Sequence, residues 1–181
     1  EDSLNTSSRF MNYQIRKANL EDTQCLSELC KNIYVEHYLH LWLEGGKEWY
    51  LEKSYAENVI LSEIAYPNSD YFLLLVDTIP VGYLKVNYDY SEKNSALEVE
   101  RIYFYQSHKG LGLGRKLIEF AFELAQQRGK ESVILKAMDS SVDAIGFYHK
   151  IGFLQIGTLV LEGFELMKPE FRGMVILEYC L

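Results

Sequence analysis

Apolar and polar residues alternate along this chain with two periods, and the switches between them mark the elements. Residues 13–18 read as a short first strand. Asn19 is placed as an N-cap with Asp22 three residues on, and Leu26, Leu29, Cys30 and Ile33 then mark one face of a helix. The next stretch is crowded with the rings of Tyr34, Tyr38, Trp42, Trp49, Tyr50 and Tyr55 and the carboxylates of Glu36, Glu44, Glu48, Glu52 and Glu57. Gly45-Gly46 breaks it into a helix, a turn and a second helix reaching about Ile64. Beyond 67–70 the period changes. Residues 71–76 are a continuous apolar run, the mark of a strand covered on both faces. Residues 77–80 turn the chain, 81–88 return as an antiparallel partner, and after a polar turn 97–104 give a third strand.

The second half repeats the alternation of helix and strand. Leu113, Leu117, Ala121, Leu124 and Ala125 form the apolar stripe of a helix over 113–128, which Gly129 ends with Arg128 in its last turn. Residues 133–137 are another buried strand. Ser140 and Ser141 then stand as candidate caps of a short helix running to Ile151, where Gly152 stops it. The last strands are 153–161 and 173–180. This order predicts an α/β fold, a mixed sheet with helices on both faces.

Composition narrows the setting. The chain has 181 residues, 48% hydrophobic and 24% charged, which fits one domain over residues 11–181. Residues 1–10 are polar and without period, an expected extension, since Met11 is a natural start. No apolar run approaches the ~20 residues of a membrane span, and no basic-then-apolar leader opens the chain, so a cytoplasmic location without membrane partners is expected. A net charge of −8 disfavours nucleic acid as a partner and suits cations. Cys25, Cys30 and Cys180 are too few and wrongly spaced for a disulfide framework or zinc site, and read as buried thiols. His37 and His40 have no evident metal partner, so no metal site is expected.

Lys109-Gly110-Leu111-Gly112-Leu113-Gly114-Arg115 joins the third strand to the long helix. It fails the P-loop pattern, which ends in Lys and Ser or Thr, and the dinucleotide pattern, whose third glycine would fall at Arg115. It fits a basic residue, two residues, Gly, one residue, Gly. Bare backbone ahead of a helix N-terminus converges N–H groups on an anion, here a pyrophosphate; a tight turn with no ligand is the competing reading. Two readings also stand for the aromatic and acidic stretch. Its rings pack inward while its glutamates face solvent, or both line a groove for an amine.

Three segments together resemble the GNAT superfamily of acetyl-CoA-dependent N-acetyltransferases: the strand 97–104, the loop 109–114, and Ala144-Ile145-Gly146-Phe147-Tyr148-His149-Lys150-Ile151-Gly152-Phe153. The likeness covers essentially residues 11–181, and Leu97-Glu98-Val99-Glu100-Arg101-Ile102-Tyr103 looks most like the polyamine and diamine subgroup. The resemblance implies a mostly antiparallel sheet whose central strand pair splays at a bulge. Backbone groups of Ile102, Tyr103 and Phe104 would then pair with pantetheine, and Lys109 through Arg115 would meet the pyrophosphate. Ser141, where many members have Asn, and Phe147, Tyr148 and Lys150 are further implied cofactor contacts. Acetyl-CoA is the implied co-substrate, with no metal.

The chemistry such a fold performs is attack of an amine on a thioester. An amine of pKa ~10 is protonated at neutral pH and must first lose a proton. Glu100, where the polyamine-type relatives carry their acid, is the first candidate base, and Glu98, two residues back on the same strand face, is the second. For either, a solvent-facing glutamate or a partner for Arg101 is the plainer role. Tyr148 is implied as the donor to the departing thiolate, against a packed aromatic. A backbone N–H near Phe104 would polarise the thioester carbonyl. The expectation is an N-acetyltransferase acting on a small cationic amine such as a polyamine. Alternatives are acetylation of a protein N-terminus or lysine, of an antibiotic or amino acid, or a non-catalytic acyl-CoA-binding module. The terminal strand, from Met174 on, is suited to pair across the two-fold of a homodimer.

Overall fold

The computed structural model describes residues 12–181; the expected extension over 1–10 lies outside them. The chain runs β1 (Tyr13–Lys17), α1 (Thr23–Tyr38), α2 (Gly46–Tyr55), α3 (Glu57–Ala65), β2 (Ser69–Val76), β3 (Ile79–Asn87), β4 (Ala96–Phe104), α4 (Leu113–Gln127), β5 (Ser132–Met138), α5 (Val142–Ile151), β6 (Leu154–Val160) and β7 (Gly173–Cys180). The strands form one seven-stranded sheet in the order β1-β2-β3-β4-β5-β7-β6. Neighbours pair antiparallel except β4 and β5, which run parallel.

Side-chain alternation gives each sheet face its own core. Phe72, Leu74, Leu84, Leu97 and Val99 point to the face covered by α4 and α5. Tyr71, Leu73 and Tyr83 point to the other, where α1, with Leu26, Cys30 and Ile33 fully buried, packs with α2 and α3. The capping box at Asn19 and Asp22 is present, around a single 3-10 turn that leads into α1.

Several expectations need correction. The second helix is two, because Ala56 is extended (φ −59°, ψ 149°) and ends α2 before α3 begins. The turn after β2 is only Asp77-Thr78, both at positive φ as a two-residue hairpin requires, and Ile79 and Pro80 belong to β3. Pro80 is tolerated there because the β2–β3 register shifts beside it. Cys30 is buried, but Cys25 and Cys180 are exposed. Ser141 occupies the N-cap of α5 without a capping bond from its side chain. Strand β7 is enclosed between β5 and β6, so its edge is not free to pair across a two-fold; among the described residues the edge strands are β1 and β6.

Two irregularities open the sheet at its centre. Lys85 pairs with Arg101 but Val86 pairs with Val99, which leaves Glu100 as the extra residue of a β-bulge. Bulges bend and twist the strand that carries them. The β4–β5 ladder accordingly stops at Val99↔Leu135, while β4 continues to Phe104 and β5 to Met138. Tyr105 N–H donates to Val81 O, so by alternation the backbone groups of Ile102 and Phe104 face the gap. Gly82 seats this end of β4: a Cβ there would lie 2.6 Å from Phe104 Cβ and 2.7 Å from Tyr103 O. We expect Gly82→Ala to lower thermal stability by about 1–3 kcal/mol, the usual cost of overpacking, read as a fall in Tm. An unchanged Tm would show that the strand end yields freely.

Candidate active site

The glycine loop sits where the strand end meets α4. Gly110 and Gly112 are left-handed (φ 81° and 78°), and a Cβ on either would meet nothing within 4 Å. The first helical bond of α4 is Lys116 N–H to Gly112 O. The N–H groups of Leu113, Gly114 and Arg115 therefore have no partner inside the helix and point out of its positive end. Lys109, Leu111 and Arg115 are exposed around the loop. This arrangement of bare backbone, free donors and cations fits a pyrophosphate. Gly114 has a different task from the other two glycines. Its Cβ would come within 3.2 Å of the Phe147 ring and 3.6 Å of the Phe104 ring, so its smallness lets α4, α5 and the end of β4 close together. Lys150 lies exposed in the last turn of α5 and does not line the cavity described next.

A cavity of about 380 Å³ opens at the parting of β4 and β5. Glu98, Glu100, Ile102, Tyr103, Ser141 and Tyr148 all reach it, so the splay gathers residues the chain holds 50 positions apart. Its far wall is aromatic: Tyr34, Tyr38, Tyr50 and Tyr55 line it, with Tyr34 stacked on Tyr50 at 4.6 Å. The loop between β6 and β7 closes it through Leu161, Phe164 and Met167, with the Phe164 ring 5.9 Å from Trp49. Glu36, Glu44, Glu48, Glu52 and Glu57 are all exposed. Each of the two readings of that stretch is met in part: its glutamates face solvent, its rings wall the cavity, and the carboxylates on that cavity come from β4.

Glu98 and Glu100 share one face and one clamp. Asn87 Nδ2 donates to Glu98 Oε2 and Glu100 Oε2, each at 2.8 Å. Lys136 stands 3.2 Å from Glu98 Oε1. Lys85 Nζ lies 2.8 Å from Glu100 Oε2, and Arg101 Nη2 3.5 Å from Glu100 Oε1. Burial raises the Glu100 carboxyl, but Arg101, Lys85 and the hydrogen bonds from Lys85 and Asn87 outweigh it and hold the group below the usual carboxylate range. It is ionised at neutral pH. Tyr148 is almost fully buried, which pushes its hydroxyl above the ordinary range and keeps it a protonated phenol. Among the described residues no group of three His, Cys, Asp or Glu is placed to hold a metal ion. None of their helices is long and apolar enough to cross a membrane.

Some of the surroundings were missed. His37 contributes a ring nitrogen 3.0 Å from Phe104 O, at the open edge of β4, and Gln106 N–H donates to Glu36 at 2.9 Å. Together they tie the end of α1 to the strand end. Lys85 and Glu63 were also missed, although a lysine within the apolar run of β3 was a visible signal.

Residues 32–153 match the acetyltransferase (GNAT) family. An uncharacterized N-acetyltransferase of Lactobacillus delbrueckii is 36% identical over 107 residues, 57% of this chain and 62% of its own length. A spermidine N(1)-acetyltransferase of Thermoplasma acidophilum is 23% identical over 147 residues, 79% of this chain and 89% of that protein. The fold is also that of the PaiA N-acetyltransferase of Thermoplasma acidophilum, solved in complex with coenzyme A, with a TM-score of 0.76 at 19% identity over 94% of this chain and 100% of that one. With two thirds of its length inside the family pattern and the splayed sheet in place, this chain belongs to the GNAT family of acetyl-CoA-dependent N-acetyltransferases.

Proposed function

We propose that this protein transfers the acetyl group of acetyl-CoA to the primary amine of a small cationic acceptor, a polyamine being the first candidate, with the cytoplasm as its compartment. The observation that carries the reading is the placement of ionised Glu100 and protonated Tyr148 on one cavity at the parting of β4 and β5. Acetyl-CoA, held by the loop from Lys109 to Arg115 and along the open edge of Ile102 and Phe104, supplies an activated thioester. Glu100, aided by Glu98, binds the ammonium and takes its proton directly or through a water. Tyr148 donates its hydroxyl proton toward the departing sulfur, and a backbone N–H near Phe104 polarises the carbonyl. The rings of Tyr34, Tyr38 and Tyr50 give the cavity an aromatic wall that suits a cation. A name among the relatives, spermidine N(1)-acetyltransferase, supports the polyamine class.

The direct experiment is thiol release from acetyl-CoA against polyamines, diamines, amino acids and peptides. Spermidine or a diamine is expected to give the highest kcat/KM. Preference for a peptide would replace the small-amine reading, and no release with any amine would favour a binding module. Tyr148→Phe is expected to lower kcat about 10²-fold with acetyl-CoA affinity unchanged by calorimetry. Full activity would assign Tyr148 to packing alone.

A further inference from the structure

Lys85 is a charge where the strand pattern asks for an apolar side chain. It sits between Leu84 and Val86, both fully buried, and is itself only 5% exposed. Its Nζ lies 2.7 Å from Glu63 Oε1 and 2.8 Å from Glu100 Oε2. Arg101 closes the other side, with Nη1 3.0 Å from Glu63 Oε2 and Nη2 3.5 Å from Glu100 Oε1. Glu63, Lys85, Glu100 and Arg101 are thus a closed ring of alternating charge. The bulge is what closes it, since only the slipped register turns the sequence neighbours Glu100 and Arg101 to one face. Tyr71 braces the ring by donating its hydroxyl to Glu63.

Glu100 and Arg101 line the cavity, whereas Lys85 and Glu63 do not. Desolvating four charges is expensive, and apolar side chains of the same volume often serve stability as well. The ring's position directly beneath the acceptor groove points to a use in the site. We propose that Lys85 and Glu63 are positioning residues: Lys85 holds the Glu100 carboxylate charged, and Glu63, by sharing Lys85 and Arg101, keeps that carboxylate aimed with Oε1, its loosely held oxygen, left to meet the acceptor ammonium. This rests on the acetyltransferase reading above. Glu63 matters as much as Lys85, because it shares both cations and so keeps them from claiming Oε1.

The groups facing Glu100 are Lys85 and Asn87 from β3 and Glu98 and Arg101 from β4. One contact further out are Glu63 of α3, Tyr71 of β2, Tyr55 of α2 and Lys136 of β5, with Tyr148 of α5 on the same cavity. Removing a cation and removing an anion from this set must act on Glu100 with opposite sign, whereas a general loosening moves its titration upward in both cases.

The test is a pH titration of the glutamate side-chain carboxyl carbons by NMR on the full chain, the Glu100 line being identified by its loss in Glu100→Gln. In the parent, Glu100 is expected to titrate below its ordinary value of 4.5. Lys85→Met is expected to raise its midpoint by about 1–3 units, and Glu63→Gln, which leaves both cations to Glu100, to lower it. An unchanged midpoint in either variant overturns the proposal, as does an upward shift in Glu63→Gln. Should Lys85→Met fail to fold, Glu63→Gln decides alone, its lowered midpoint supporting the ring and an unchanged or raised one overturning it. Absence of thiol release by the parent is a separate outcome that overturns the acetyltransferase reading.

Discussion

Glu100→Gln is expected to lower kcat/KM for the preferred amine by about 10²- to 10⁴-fold at neutral pH, the range typical of a lost proton acceptor. Shape is kept, but the amide neither attracts an ammonium nor takes its proton. The pH dependence sets this apart from simple misfolding. Glu100 is held below the usual carboxylate range and stays ionised throughout the assay range, whereas the acceptor is almost wholly protonated until pH nears ~10. The deficit should therefore be widest at neutral and lower pH and shrink toward pH ~10, where free amine is supplied by solvent. A variant profile parallel to the parent's at every pH would remove Glu100 as the proton acceptor. The substitution also leaves Lys85 and Arg101 with Glu63 as their shared counter-charge, so Tm should fall. Unchanged acetyl-CoA affinity is the control that the remaining protein is folded.

Gly112→Val is expected to weaken acetyl-CoA binding by at least about 10²-fold in calorimetry. At φ 78° a β-branched residue is strained, by about 1–3 kcal/mol, and its side chain would crowd the N-terminus of α4, where the pyrophosphate is proposed to sit. Losing one or two charge-assisted bonds at ~1.5–3 kcal/mol each accounts for the factor. No protein atom lies within 4 Å of the Cβ position, so the loop can take the side chain without a collision in the core. Gly114→Val, by contrast, should also lower Tm, because there the new atoms meet the Phe147 ring at 3.2 Å. Equal affinity in Gly112→Val and the parent would refute the phosphate assignment of the loop.

The contrast between these glycines shows how far the letters carried. The loop, the α4 stripe and the spacing of Phe147 and Tyr148 were legible because each is local: a helix period, a cap and a turn depend on residues within a few positions. Family likeness then supplied the splay. The bulge at Glu100 was not legible at that residue, because it is a mismatch of register between β3 and β4 and has no composition of its own. The ring around Glu63 was out of reach for the same reason, joining residues 22 to 38 positions apart. The Asp77-Thr78 turn carries none of the glycine or asparagine that announces a two-residue hairpin, so the start of β3 was placed two residues late. Enclosure of β7 was missed because a terminal strand is easily imagined at an edge, whereas its ladders to both β5 and β6 are long-range. Of the groove, the rings were visible in sequence. The family likeness pointed to Glu100 and Glu98 as its carboxylates, but that the helix glutamates turn away from the rings was not visible, since it depends on how the helices pack on the sheet.

On the proposed function, bare main chain ahead of α4 grips the pyrophosphate of coenzyme A and points its acyl end along the open edge of β4 at Glu100. A crystal structure with coenzyme A tests it most directly. Phosphate oxygens are expected within hydrogen-bonding distance of the N–H groups of residues 110–115, and the pantetheine beside Ile102 and Phe104 with its sulfur near Tyr148. A nucleotide seated elsewhere, with the loop N–H groups meeting only water, would contradict it.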